Sequence, residues 1–163
     1  MPERLPEVVD PFGFAEKGRR LKGRLPLSGL DRLVPLLARS EGEVELSLHF
    51  VKEGRQPLIE GTVSATLWLT CQCCLESLSW PVASQLSLGI VGSVDEALRL
   101  PERFEALVVE SEAGILLADL IQDELLLAIP SIPQHPTCLL PGQHSAVDDR
   151  PNPFAVLKTL KSN

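Results

Sequence analysis

Two runs of alternating side chains joined by a cysteine cluster constrain this chain more than any other feature. From Val63 to Leu69 the apolar residues fall on odd positions, Val63, Ala65, Leu67 and Leu69. Thr62, Ser64, Thr66 and Thr70 lie between them, with Trp68 the exception. Beyond the link, Leu78, Trp80, Val82, Leu86 and Leu88 fall on even positions against Ser77, Ser79, Gln85 and Ser87. Period two belongs to a strand with one buried face, so the two runs predict an antiparallel pair over Leu58–Leu88. Its tip, Cys71-Gln72-Cys73-Cys74, holds three of the chain's four cysteines. Glu43–Val51 alternates in the same way, with Val44, Leu46, Leu48 and Phe50 inward and Glu43, Glu45, Ser47 and His49 outward. Lys52-Glu53-Gly54-Arg55-Gln56-Pro57 then has turn chemistry, which makes three consecutive strands a meander. Pro81 removes a ladder donor and places the third strand at an edge or bulge there.

The flanking segments complete an α+β reading. Met1–Gly13, rich in Pro and Gly, is expected to be irregular or an edge strand. Ser28 is placed to cap a short helix with Leu30, Leu33, Val34 and Leu37 on one face, kinked or shortened by Pro35. Phe104–Val109 reads as a short strand. Ile115–Ala128 is the strongest helix, with Leu117, Leu120, Ile121, Leu125 and Ala128 on one face and Asp119, Gln122 and Asp123 on the other. Glu124 falls at the apolar edge, and Pro130 ends the helix. The expected architecture is an antiparallel sheet or partly closed barrel with a packed C-terminal helix. Residues 1–147 form a single domain in this reading, and residues 148–163 form a polar, Pro-rich link and a short amphipathic tail.

Composition narrows the function classes. At 163 residues, 44% hydrophobic and 23% charged, the chain is long enough for one real core and ordinary for a globular protein. No apolar run approaches the ~20 residues of a membrane helix. The N-terminus lacks a basic stretch followed by an apolar one, and the four cysteines are unevenly spaced. A cytoplasmic protein with free or metal-bound thiols, and no membrane partner, is therefore expected. A net charge of −7 opposes a simple electrostatic grip on nucleic acid. The charge is uneven, however. Lys17, Arg19, Arg20, Lys22 and Arg24 cluster early, as a solvated charged face or a polyanion contact. Near the end, Phe154, Leu157 and Leu160 recur at three-residue spacing beside Lys158 and Lys161. That stripe fits either a fold-back onto the core or a docking peptide for a partner.

The chemistry-bearing residues centre on the tip. Cys71-x-x-Cys74 on a tight turn is half of a zinc site, because the turn aims two thiolates at one point. His135-x-x-Cys138 supplies two more donors at matching spacing, with His144 in reserve. Zinc on Cys71, Cys74, His135 and Cys138 and a set of structural, unliganded thiols both remain open readings, so no cofactor is fixed and zinc is the candidate. A thioredoxin-type redox site fits less well, because it places the first cysteine at a helix N-terminus and both flanks here are strands. There is no phosphate-cradling Gly-rich loop, no Gly-x-Ser-x-Gly elbow and no His-Glu-x-x-His pair. Nothing in the sequence marks an enzyme, and a small zinc- or thiol-dependent enzyme is the alternative class.

Three segments carry a family resemblance. Leu69-Thr70-Cys71-Gln72-Cys73-Cys74, Asp123-Glu124-Leu125-Leu126-Leu127-Ala128-Ile129-Pro130 and Pro151-Asn152-Pro153-Phe154-Ala155-Val156-Leu157 occur in that order. Together they resemble the YceD family, the large ribosomal RNA subunit accumulation proteins of bacteria, with relatives in plastids. The resemblance implies a non-enzymatic factor supporting 23S rRNA accumulation and ribosome assembly. Its implied partners are a pre-50S particle, rRNA or an assembly protein; a protein-binding adaptor without RNA contact is the runner-up. In that family the position before the second cysteine is often Arg, where this chain has Cys73. Many members also carry a second cysteine pair after the proline segment, of which Cys138 alone stands here.

Overall fold

The computed structural model describes residues 5–110 and 114–138. In chain order it contains β1 (Val8–Val9), α1 (Pro11–Glu16), β2 (Arg20–Pro26), β3 (Glu43–Glu53), β4 (Gln56–Thr70), β5 (Ser77–Val91), α2 (Val94–Ala97), β6 (Glu105–Val108), β7 (Ile115–Leu116) and α3 (Leu117–Ala128). The main sheet runs β2-β3-β4-β5-β6, and β1 pairs with β7 in a second, two-stranded sheet. The fold is thus α+β, as expected. The barrel alternative is not seen among the described residues, since the five strands end on two different edges. The sheet is also mixed: β6 lies parallel to β5, pairing Leu88–Val91 with Glu105–Val108.

The meander forms where the alternation places it. β4 and β5 pair from Leu58↔Gly89 to Thr70↔Ser77, and β3 pairs with β4 from Glu45↔Ser64 to Glu53↔Gln56. Val44, Leu46, Leu48, Phe50, Ile59, Val63, Leu67, Leu69, Val82, Leu86 and Leu88 are all buried in one cluster. Gly61 is required by the register, because a Cβ there would collide with the Ser47 carbonyl oxygen and with Leu48. Pro81 pairs with Thr66, while β6 meets β5 only from Leu88 onward. At Pro81, β5 therefore has a neighbouring strand on one side only, a position that tolerates a missing ladder donor.

The helix α3 starts two residues later than expected. Ile115–Leu116 is instead a strand segment against Val8–Val9. Gly114 permits this, since its φ of +83° and its proximity to the Val9 carbonyl leave no room for a side chain. Leu117, Leu120, Ile121 and Leu125 of α3 are buried with the sheet's inner face. Trp80 Nε1 donates to the Ala128 carbonyl at 3.2 Å and Ser84 Oγ donates to Glu124 at 3.0 Å, which ties the helix to β5. Gln122 belongs to the buried side and not to the polar face: it is 3% exposed. Its Oε1 accepts from the Arg32 backbone N–H at 2.7 Å, satisfying both groups across a long sequence separation.

Two further expectations are corrected. Pro11–Glu16 is a helix, capped by Asp10, whose side chain accepts from the Gly13 N–H, with Pro11 in the first turn. The helix expected from Ser28 is replaced by two 3-10 turns, Leu27–Gly29 and Val34–Leu36, because Pro35 interrupts an α-helical ladder. Leu27, Leu30 and Leu33 are nonetheless buried.

Leu67→Ala or Ile121→Ala should lose about 2–5 kcal/mol by opening a cavity in this core, whereas Thr62→Ala on the outer face should change stability by less than about 0.5 kcal/mol. Urea midpoints unchanged in both core variants would contradict the assignment. Glu124 gives a pH-dependent counterpart. Burial raises its carboxyl above the ordinary value of 4.5; donation from Ser84 opposes this in part, and the Glu105 and Asp123 carboxylates add to it. A carboxyl raised in the folded state weakens the fold as pH climbs through that ordinary value toward the raised one. Glu124→Gln should therefore melt slightly above the parent at pH 7, with the gain vanishing below about pH 4.5. Equal melting at pH 7 would contradict it.

Candidate metal centre

The tip between β4 and β5 is a single tight turn. The Cys71 N–H donates to the Glu76 carbonyl at 2.8 Å, and the Leu75 N–H donates to the Cys71 carbonyl at 2.9 Å. Leu75 takes a left-handed conformation, φ 63°, without being glycine. Such backbone costs about 1–3 kcal/mol and persists where the surroundings over-determine it. Cys71 continues the odd-numbered inward face of β4 and is fully buried, while Cys74 is exposed.

The second half of the centre arrives from the segment after α3. Pro130 ends the helix, and the chain then runs back past the tip, where the Pro133 carbonyl accepts from the Gln72 N–H at 2.8 Å. A turn closed by the Cys138 N–H on the His135 carbonyl (3.1 Å) follows, and Gln134 Nε2 donates to the Cys138 carbonyl at 2.8 Å. These contacts bring together the four donors singled out in the sequence. One ligand atom from each of Cys71, Cys74, His135 and Cys138 lies within 4.8 Å of the others. Cys74 Sγ stands 3.5 Å from His135 Nδ1.

This donor set fits a tetrahedral thiophilic cation. With Zn–S near 2.3 Å and Zn–N near 2.0–2.1 Å, ligand atoms around zinc sit roughly 3.5–3.8 Å apart, so small side-chain movements would close the set. The electrostatics of the turn agree. Burial pushes the Cys71 thiol up, but N–H groups of Cys74, His135 and Cys73 aimed at its sulfur outweigh this and hold it at about 6. The Glu76 N–H pulls Cys74 down, yet partial desolvation of its sulfur and the neighbouring Cys71 and Cys138 sulfurs leave it above the usual thiol value. Cys138 is pushed up to about 11, first by its contact with Cys73 and then by burial. One thiolate is thus supported by the backbone, and the crowding that keeps the others protonated is what a bound cation relieves. The spacing of the donors was legible in the sequence; the backbone groups that support Cys71 carry no residue signature.

The basic site residues among the described ones do not join this cluster. Arg20, Lys22 and Arg24 project from the exposed face of β2, an edge of the main sheet. Arg24 is engaged with Glu45 at 2.6 Å and Glu43 at 3.6 Å. The Arg19 guanidinium lies 4.6 Å over the Phe14 ring. Lys17 is exposed beyond α1. His144, Phe154, Leu157, Lys158, Leu160 and Lys161 lie outside the described residues, as does the link from 148.

Fold and site together define a small α+β protein whose distinctive chemistry is a three-thiol, one-imidazole cluster at a hairpin tip. The chain belongs to the family described as Large ribosomal RNA subunit accumulation protein YceD, whose model matches residues 59–161. That span takes in most of β4, the cysteine tip, β5, α3, His135-x-x-Cys138 and most of the tail. The Large ribosomal RNA subunit accumulation protein YceD of Haemophilus influenzae is 28% identical over 168 residues, covering 97% of each chain. No solved structure matches the chain.

Proposed function

We propose that this protein is a non-enzymatic cytoplasmic factor that supports accumulation of the large-subunit rRNA, acting on a pre-50S particle, its rRNA or an assembly protein. The observation that carries the reading is the family match over residues 59–161, which includes both the tip and the tail. In this reading Cys71, Cys74, His135 and Cys138 hold zinc, which serves as a structural clamp between the β4–β5 tip and the segment after α3. Residues 1–147 form the body, and residues 148–163 the link and tail. Phe154, Leu157 and Leu160, with Lys158 and Lys161, dock on the partner, and the basic residues Lys17, Arg19, Arg20, Lys22 and Arg24 contribute a second contact.

The metal part has a direct test. Protein purified without chelator should carry close to one zinc per chain, and chelation should lower its melting temperature, because metal binding free energy is folding free energy. Affinity should fall as the pH is lowered, since each thiol must lose its proton to bind. Elemental analysis showing no bound metal would leave the thiols as plain structural residues.

The functional part is tested in a bacterial strain lacking its own family member. Expression of the full chain should restore the ratio of 23S to 16S rRNA, and the protein should co-sediment with pre-50S particles. A truncation after Asp149 should keep its stability but lose both properties. Full activity of the stable truncation would overturn the docking role of the tail. A large loss of stability would show that the tail is part of the core. No effect of the full chain on rRNA would overturn the function itself.

A further inference from the structure

The end of β4 remote from the cysteines carries a cleft of about 410 Å³ between α1, the β3–β4 turn and α2. Its volume lies in the range of small-ligand sites, roughly 300–1,000 Å³. Pro57, Ile90 and Val91 give it an apolar floor, and Phe12, 37% exposed, stands on its wall. Two carboxylates line it, and both are engaged: Glu16 pairs with Lys52 at 3.0 Å, and Glu96 accepts from the Gly92 N–H at 2.8 Å. Two guanidiniums line it as well, Arg55 and Arg99, and neither has an ion pair or a side-chain hydrogen bond among the described residues. Arginines elsewhere are mostly occupied. Arg24, Arg32 and Arg103 reach carboxylates, and Arg19 and Arg39 lie over the Phe14 and Trp68 rings. In a chain of net charge −7, this lining carries three cations, Lys52, Arg55 and Arg99, against two carboxylates, a local cationic excess beside an apolar floor.

We infer that this cleft takes one nucleotide of a single-stranded RNA segment, with Arg55 and Arg99 on its phosphate and its base against Phe12. A guanidinium matches phosphate oxygens in a two-pronged geometry that a lysine does not reproduce. Single-stranded RNA can splay a base onto an aromatic ring, whereas a duplex keeps its bases stacked. The cleft is partly open to solvent, which leaves room for a chain to continue past the bound nucleotide on either side. The inference rests on the reading above that the protein serves large-subunit rRNA, and it names the surface that would touch the RNA directly.

The test is fluorescence anisotropy of a labelled decauridylate titrated with the full chain at low salt. Saturable binding that weakens as salt is raised is expected. Arg55→Ala/Arg99→Ala should weaken it at least tenfold with an unchanged circular dichroism melt, and Phe12→Ala should weaken it several-fold without altering the salt dependence. Arg39→Ala, at the other end of the sheet, should leave it unchanged. Absence of saturable binding, equal binding by the double arginine variant, or an equal loss in Arg39→Ala would overturn the inference. Full competition by uridine monophosphate at the oligomer's own concentration would overturn the RNA assignment in favour of a small phosphorylated ligand. The rRNA complementation assay separates the two levels. Restored rRNA without oligomer binding removes the cleft inference alone, and oligomer binding without restored rRNA removes the cellular function alone.

Discussion

The pairing of β4 with β5 sets the geometry on which the rest of this protein depends. Thirteen residue pairs from Leu58↔Gly89 to Thr70↔Ser77 fix one register. A slip by a single residue would turn Val63, Leu67 and Leu69 to solvent and bring threonines into the core, so the register is strongly specified. The same parity decides the chemistry of the tip. Cys71 is the next odd position after Leu69 and falls on the inward side, fully buried. That side is the one on which α3 lies, so the chain leaving α3 at Pro130 passes Cys71 with His135 and Cys138 at hand. A strand alternation that exists to bury leucines thereby positions a sulfur able to serve as a metal ligand.

The cluster links two parts of the chain that little else holds together. Cys74 and His135 are far apart in sequence, and closing such a loop costs entropy that grows only slowly with its length. In the described residues the local ties are the Gln72–Pro133 backbone bond, the His135 N–H aimed at the Cys71 sulfur, the contact of Cys138 with Cys73 and the 3.5 Å approach of Cys74 to His135. Each is worth about 1 kcal/mol or less on its own. A cation shared by four ligands would exceed them by a wide margin, as structural zinc does in other small domains. The left-handed Leu75 belongs to the same account, because the turn that converges the thiols is the one that strains it.

Much of this architecture was legible in the sequence, and the misses share a physical cause. Period-two patterning marked β3, β4 and β5 because each buries one face against a core, and the same logic placed Leu117, Leu120, Ile121 and Leu125 on one side of α3. Cys71-x-x-Cys74 and His135-x-x-Cys138 were visible because metal-ligand spacing is local within each half. By contrast, β1 and β7 are two residues each and exist only through one another, so no window of sequence contains their signal. The parallel strand β6 was visible as a strand, but its direction is set by a distant partner. Gln122 looked like a surface residue because its partner, the Arg32 N–H, is ninety residues away. The α1 helix was a local miss: Asp10-Pro11 is a recognisable start signal, obscured by the surrounding Pro and Gly. Arg55 and Arg99 come from two separate turns, and only the fold puts them on one cleft.

The central claim is that the hairpin tip and the segment after α3 are joined by one metal through three sulfurs and one nitrogen. X-ray absorption spectroscopy at the zinc edge of the purified full chain measures that directly. The account predicts a first shell fitted by three sulfurs near roughly 2.3 Å and one imidazole nitrogen near roughly 2.0–2.1 Å, with ring scattering beyond it. A shell of four sulfurs, which would put Cys73 in place of His135, or a shell of nitrogen and oxygen alone would contradict it.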